Sequence, residues 1–518
     1  MRIGIDVGGT NTDAVLMNGS ELIASYKSPT TANVSDGIRG AIGEVLRSSG
    51  VAAADIRCVM IGTTHFTNAF VEGKHLMDVG IIRVALPAAR GIPPLTDWPD
   101  HLIAKIGSHS HMVRGGHQFD GRVNAPLDEK AVADAARDFL KKGIHTVAIA
   151  ALFSPVRSDI EIRAGKIVAE VMGPVAISLS HTIGRVGLLE RENATVMNAS
   201  LAHLSVQVVT SFRTALRELD IAAPFYISQN DGTLMNAEIV EKYPVLTFAS
   251  GPTNSMRGAA YLSGLKNALV ADIGGTTTDI GVLTKGFPRE SANAVDIGGV
   301  RTNFRMPDVL SVGLGGGSLV RRCGDSTEVG PASVGYQLTT RAHVFGGDTL
   351  TASDIAVAAG YAHFGDRQRV AHLSSGTVQS AVDRIHRILA DGVDRMKVSA
   401  DPIPLVLVGG GSVLINRPIP GVSEVIVPEH AGVANAIGAS IAQVSGESDQ
   451  IVSYGATPRE GAIVAAKQEA TAAAVRAGAS AGTVEVVEVE EVPLAYMAGG
   501  AVRLRVKVAG SLDLAEKR

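Results

Sequence analysis

Two segments carry the same chemistry-bearing pattern. Ile5-Asp6-Val7-Gly8-Gly9-Thr10-Asn11-Thr12-Asp13 recurs as Ala271-Asp272-Ile273-Gly274-Gly275-Thr276-Thr277-Thr278-Asp279. Asp, Gly-Gly, Thr and Asp fall in one register in both copies. Such a turn suits phosphate: the paired glycines remove Cβ atoms, so backbone N–H groups can approach an anion. Thr10, Thr12, Thr276 and Thr278 are expected to add hydroxyl contacts to phosphate oxygens, with Asn11 and Thr277 beside them. Asp6 and Asp272 would repel phosphate unless a divalent cation, Mg²⁺ first among the candidates, lies between. Both are therefore candidate catalytic and metal-placing residues. Asp13 and Asp279 either share that contact or hold the turns. Two hairpins clamping one polyphosphate imply a cleft between two similar domains.

A third glycine cluster follows the apolar run Leu405-Val406-Leu407-Val408. There Gly409, Gly410 and Gly411 would let a nucleoside lie against bare backbone. Gly315 and Gly316 either cap a helix or approach the same nucleotide. His65, among Thr63, Thr64, Thr67 and Asn68, is a candidate to bind a substrate carbonyl or shuttle a proton; otherwise it is a hydrogen-bonded loop histidine. Glu190 and Arg191 hold substrate or form a structural ion pair. His101, His109, His111 and His117 crowd a Pro-rich stretch, without the acidic or Cys ligand that would complete a metal site.

The elements that must position these groups alternate. Residues 2–7 and 12–17 read as strands around the first Gly turn, and 36–47 as a helix. Strands follow at 56–62 and 79–84, then a segment, 86–120, read as irregular loop. Residues 128–142 form an amphipathic helix, and 146–153 a buried strand. Ser158 and Glu161 are spaced as a capping box. Long helices are expected at 188–219 and 378–398, a further helix at 458–476, and strands within 483–508. The alternation argues for an α/β fold. The expected division is 1–187, 188–445 and a small C-terminal α+β tail, 446–518.

Composition bounds the rest. The chain has 518 residues, 46% hydrophobic and only 4% aromatic, with 58 glycines, which excludes a disordered chain. Its 47 basic and 51 acidic residues leave a net charge of −4, which offers no basic face for nucleic acid. Cys58 and Cys323 are too few for a disulfide framework and have no local partner for thiol chemistry. No signal peptide or membrane-length apolar run is read, so the expected location is the cytoplasm, away from membranes.

The paired hairpins and the late Gly triplet resemble the actin, hexokinase and heat-shock-chaperone ATPase superfamily. Further stretches resemble the A-type subunit of the hydantoinase/oxoprolinase family. These are Gly62-Thr63-Thr64-His65-Phe66-Thr67-Asn68-Ala69, Glu190-Arg191-Glu192-Asn193, Ser228-Gln229-Asn230-Asp231-Gly232, Ala249-Ser250-Gly251-Pro252, Leu314-Gly315-Gly316-Gly317-Ser318 and Phe345-Gly346-Gly347-Asp348. Asn11 departs from the family's usual aromatic, and Asp231 from its Gly or Asn.

The resemblance implies two actin-like (ribonuclease H-like) domains around a nucleotide cleft, with ATP and Mg²⁺ as cofactors. It implies ATP-dependent opening of a cyclic amide, a hydantoin, oxoproline or lactam, through phosphorylation of the amide oxygen. A B-type hydantoinase subunit is the implied partner, and a homo-oligomer is left open. The alternatives are a small-molecule kinase of the same superfamily and an ATP-switched scaffold or activator.

Overall fold

The computed structural model describes residues 1–8, 11–29, 34–291, 294–303, 306–323, 326–494 and 500–513. The chain opens with three antiparallel strands, β1 (Arg2–Val7), β2 (Asn11–Asn18) and β3 (Glu21–Pro29), then β4 (Cys58–Thr63), parallel to β1. A second sheet is inserted next: β5 (Val79–Leu86), β6 (Ser110–Arg114), β7 (Thr146–Ala151) and β8 (Ala176–Leu179), in the order β6-β5-β7-β8. The chain then returns to the first sheet with β9 (Phe225–Ser228), parallel to β4, and β10 (Leu234–Asn236). The complete order is β10-β9-β4-β1-β2-β3.

The second half repeats this plan. β11 (Ala268–Ile273) and β12 (Thr278–Thr284) form the second hairpin, edged by β13 (Phe287–Pro288). A small hairpin, β14 (Val295–Ile297) and β15 (Val300–Thr302), leads to β16 (Val309–Val312), which pairs with β12. A separate ribbon follows, β17 (Ser318–Cys323) and β18 (Ser326–Ser333). β19 (Ile403–Val408) then joins β11 in parallel, and β20 (Val422–Ile426) joins β19. In each sheet the hairpin's first strand is central, its partner is antiparallel, and two later strands add in parallel on the other side. β4 and β7 are buried along their whole length, as parallel strands with both faces covered must be.

The last unit is a three-stranded sheet, β21 (Val444–Ser453), β22 (Glu485–Pro493) and β23 (Ala501–Gly510), under the helix Arg459–Arg476. Ala462, Ala466, Ala470 and Ala474 form a stripe along that helix and are buried with Cys58 and Met60 of β4. Small side chains at four-residue spacing let the helix lie close to the sheet. This unit therefore packs on the first sheet.

Four expectations change. Residues 86–120 are not all irregular: they hold the helix Asp100–Ile106 and strand β6. Both elements are short, and the helix starts directly after Pro99, so periodicity had little length to act on. Ser158 makes no side-chain cap bond, and Glu161 turns into the core instead. β3 was not anticipated, because its half-exposed polar sequence lacks a clean alternation. The division at residue 187 is crossed by strand pairing, since β9 and β10 belong to the first sheet.

Candidate active site

The two hairpins close identically. The Gly8 N–H donates to the Asn11 carbonyl at 3.0 Å, and the Gly274 N–H to the Thr277 carbonyl at 2.9 Å. Asp6 pairs across the strands with Asp13 and Val7 with Thr12; Asp272 pairs with Asp279 and Ile273 with Thr278. Cross-strand partners share a face of the sheet. The row extends to a third strand in each half: Asp13 stands opposite Lys27, and Asp279 opposite Ser311.

This alternation corrects two expected phosphate contacts. Thr12 and Thr278 sit opposite Val7 and Ile273, on the buried side, and neither lines the cleft. Thr278 Oγ1 donates to the Leu314 carbonyl at 2.7 Å. Asn11, Thr276 and Thr277 do line the cleft, and both threonines are exposed. Gly9 and Thr10, also expected at the phosphate, lie outside the described residues.

The cleft measures about 410 Å³ and is walled by both hairpins and by Gly409, Gly410 and Gly411. Asp6, Asp13 and Asp272 lie on its floor with Lys27. Asp6 is raised from the ordinary 3.8 to about 7, by burial first and then by the charges of Asp13 and Asp272. Burial also raises Asp13 and Asp272. The Lys27 ammonium donates to Asp13 at 2.7 Å. Asn435 donates to Asp6 Oδ2 at 2.9 Å, while the buried Oδ1 accepts no well-aligned hydrogen bond among the described residues. Ser255 Oγ donates to Asp272. Asp279 is off the cleft wall, bonded by Ser311 and pushed up by burial to about 6.

Three clustered carboxylates and one lysine leave uncompensated negative charge, and Asp6 Oδ1 accepts no well-aligned hydrogen bond among the described residues. That set fits a divalent cation that keeps several waters and phosphate oxygens as ligands, as Mg²⁺ does. Asp6 and Asp272 would hold the cation or its waters, supplying two carboxylates. Among the described residues no group of three or more His, Cys, Asp or Glu side chains is gathered to hold a metal.

The glycines divide by role. A Cβ on Gly409 would lie 2.3 Å from Asp272 Oδ1, and φ there is +83°. A Cβ on Gly410 would meet nothing within 4 Å. Gly316 lines the cleft and donates to the Gly274 carbonyl at 3.0 Å. Gly315 does not line it: a Cβ there would strike the backbone of Thr276 at 2.5 Å, so Gly315 braces the second hairpin.

Models of the hydantoinase/oxoprolinase N-terminal region and of hydantoinase/oxoprolinase match residues 2–172 and 191–365, two thirds of the sequence between them. The chain belongs to the hydantoinase/oxoprolinase family. It is 27% identical over 427 residues to caprolactamase subunit alpha of Pseudomonas jessenii, covering 78% of this chain and 59% of that protein. It is also 27% identical over 398 residues to the acetophenone carboxylase gamma subunit of Aromatoleum aromaticum, covering 69% and 53%. The aligned region thus spans little more than half the length of these relatives. Among solved structures, the ATP-dependent caprolactamase from Pseudomonas jessenii superposes with a TM-score of 0.78 at 19% identity, and nucleotide-free acetone carboxylase with 0.70 at 20%. Both matches cover all of this chain and 88% of the other, and they show a shared fold.

Other motif residues of this hydantoinase/oxoprolinase-family chain scatter. His65 begins the helix His65–Val71 beyond β4 and is not on the cleft wall; burial lowers its pKa. Arg191 is buried and structural: it donates to Ser180 Oγ at 2.9 Å and to the Ala151 carbonyl at 2.6 Å. Glu190 reaches Arg301 at 3.7 Å. The neighbouring Glu192 forms a buried pair with Arg83, Nε to Oε2 at 2.7 Å. The four clustered histidines diverge: His101 is exposed on its helix, His109 is half-buried beside Gly107, His111 bonds Asp138 at 2.9 Å, and His117 is buried against Asp159 at 3.0 Å. Burial pushes the Cys58 thiol up to about 11, which makes it a poor nucleophile. No helix among the described residues is long and apolar enough to cross a membrane.

Sequence reasoning missed Lys27, Ser255 and Asn435, and also Phe345 and Phe364. These two rings stack at 5.9 Å between centroids and line the cleft. Lys27 had a partial signal: the turn pairs Asn18 with Glu21 and so places a strand beside β2, but in that register Tyr26 would face Asp13, and only the bulge between Leu16 and Met17 brings Lys27 there. Asn435 had no such signal, standing 429 residues from Asp6.

Proposed function

We propose that this chain uses ATP to open a cyclic amide, and that it does so as the nucleotide-binding subunit of a larger hydrolase. The observation that carries the reading is the pair of Asp-Gly-Gly hairpins facing one cleft in a chain of this family. A ring amide carbonyl is a weak electrophile. ATP supplies the activation: its γ-phosphoryl group moves to the amide oxygen, ADP leaves, and water attacks the carbon to release phosphate and the ring-opened amino acid. Bound Mg²⁺ would neutralise phosphate charge.

The chain's own part is positioning and electrostatics. Gly275–Thr277 and the first turn would present backbone N–H groups and hydroxyls to the phosphates. Asp6 and Asp272 would fix the cation or its waters, with Asn435 and Ser255 orienting the carboxylates. Gly409–Gly411 would give the nucleoside bare backbone, and the Phe345 ring an apolar wall for the base.

A carboxylase-type reading draws on the acetophenone and acetone carboxylase relatives, and in it phosphoryl transfer by this chain would activate a ketone or bicarbonate. One assay separates them. Phosphate release is measured with hydantoins, 5-oxoproline and simple lactams, and separately with ketones plus bicarbonate, each with and without a co-purified partner. Ring-dependent release of free phosphate supports hydrolysis. Ketone- and bicarbonate-dependent release replaces it with carboxylation. A stable phosphorylated product indicates a kinase, and slow turnover indifferent to every substrate indicates a switch.

A further inference from the structure

A second cavity lies outside the nucleotide cleft and shares no wall residue with it. It measures about 380 Å³ and opens where the inserted sheet, the end of β9 and the C-terminal unit meet. β9 is two strands from β1 in the same sheet, so its carboxyl end, at the mouth of the cavity, lies about 10 Å from Asp6.

One wall carries a built acid–base pair. His181 sits on the turn Ser180–Thr182 that follows β8, and its Nδ1 bonds the Glu161 carboxylate. Glu161 is fully buried and collects further donors: the backbone N–H groups of Ala151 and Ser180 at 3.1 Å each, Ser180 Oγ at 2.5 Å, and the His181 N–H at 3.0 Å. Burial raises its pKa, but the His181 hydrogen bond leads a set of contacts that outweighs burial and lowers it overall. Glu161 is therefore a carboxylate, and the imidazole nitrogen facing it must carry the proton. In the neutral imidazole that assigns the lone pair to Nε2. Nε2 bonds no group among the described residues, and His181 is on the cavity wall. Arg191 ties Ser180 to the Ala151 carbonyl beneath, so the pair is rigidly backed.

The remaining wall selects the ligand's charge. Its charged groups are compensated: Arg185 by Glu290 at 3.2 Å, Asp231 by Lys507 at 2.9 Å, Glu447 by Arg505 at 2.7 Å, and Asp449 by Arg503. An ion would enter with nothing left to neutralise it. Ile183, Leu234 and Met235 add apolar surface. The volume suits a small ring or short chain.

We propose that this cavity is a second small-molecule site, binding a neutral amide or lactam whose N–H donates to His181 Nε2. The site needs no nucleotide, so it stands apart from the ring-opening reading.

The test uses the full chain with ¹⁵N-labelled histidine, free of nucleotide, and the probes 2-pyrrolidinone and anionic 5-oxoproline. The His181 signals are assigned by their loss in His181→Gln. The expected result is that 2-pyrrolidinone moves them, that 5-oxoproline binds at least tenfold more weakly, and that Ala473→Phe, which fills the cavity without touching the pair, abolishes the response. Nucleotide affinity should stay within twofold in Ala473→Phe. His181 signals unmoved by saturating 2-pyrrolidinone, or moved equally in Ala473→Phe, overturn the site. Equal binding of the two probes overturns its preference for neutral ligands. Lactam-stimulated phosphate release without any His181 response sinks this inference and leaves the ring-opening reading standing. A His181 response with no ring-stimulated release does the reverse.

Discussion

Asp6 and Asp272 meet on the floor of one cleft, each at the last position but one of the first strand of its hairpin, and the charge of Asp272 helps to raise the pKa of Asp6. The sheets that deliver them share one topology, yet the outer strands differ. Beyond Asp13 stands a lysine, and beyond Asp279 a serine. The two halves therefore contribute unequal charge to a symmetric frame.

Asp272→Asn should lower nucleotide hydrolysis by about 100-fold or more, the scale seen when one charge-positioning group is lost. The side chain is nearly isosteric and Ser255 can still bond it, so thermal unfolding should shift little. Wild-type turnover in this variant would remove the hairpins from the mechanism.

The pH dependence follows from Asp6 at about 7 and Asp279 at about 6, both above the ordinary 3.8. Folding favours the neutral carboxyls, so their stabilisation is complete below about pH 4 and lost as pH rises through about 6 to 7. Metal-free protein should melt lower at pH 8 than at pH 5.5, and Asp6→Asn should flatten that difference. Mg²⁺ with a non-hydrolysable nucleotide should restore more stability at pH 8 than at pH 5.5, because it needs the ionised forms. An unchanged pH profile in Asp6→Asn would show that Asp6 ionises normally.

Gly409 and Gly410 should separate folding from binding. Gly409→Ala puts a Cβ against Asp272 at a positive φ, and should cost about 1–3 kcal/mol by chemical denaturation. Gly410→Ala enters open space on the cleft wall, so stability should hold within about 0.5 kcal/mol while the KM for ATP rises. Equal melting of the two variants would contradict the close approach at Gly409.

Glu192→Ala should be severely destabilising, by about 3–5 kcal/mol, because it strands the Arg83 guanidinium in a nearly dry interior. The double change Arg83→Met with Glu192→Ala should cost less than the single one. A double-mutant cycle on urea unfolding measures the difference, and additive costs would argue against a coupled buried pair.

Much of the hairpin cleft was legible because its parts are local. A Gly-Gly turn between two strands is closed by one hydrogen bond across three residues, and its repetition fixed the hairpins and the two-lobed plan. The helix at Glu129–Lys141 and the strand β7 were readable for the same reason, since apolar spacing within one element reports its own buried face. Ser158 and Glu161 show the limit. Their spacing fits a cap, but the core offers Glu161 better donors from two separate segments, and a buried carboxylate goes where it is solvated by protein.

The sequence by itself determined the two hairpins and the place of their aspartates. Only the tertiary structure decided which hydroxyls face the cleft, that Asn435 and Ser255 orient the carboxylates, and that His181 stands over a second cavity. The reason is the range of the interactions. Turn formation is written within a few residues. The direction of a side chain, and the partner that satisfies it, depend on other strands and helices, from 17 residues away for Ser255 and Asp272 to 429 for Asn435 and Asp6.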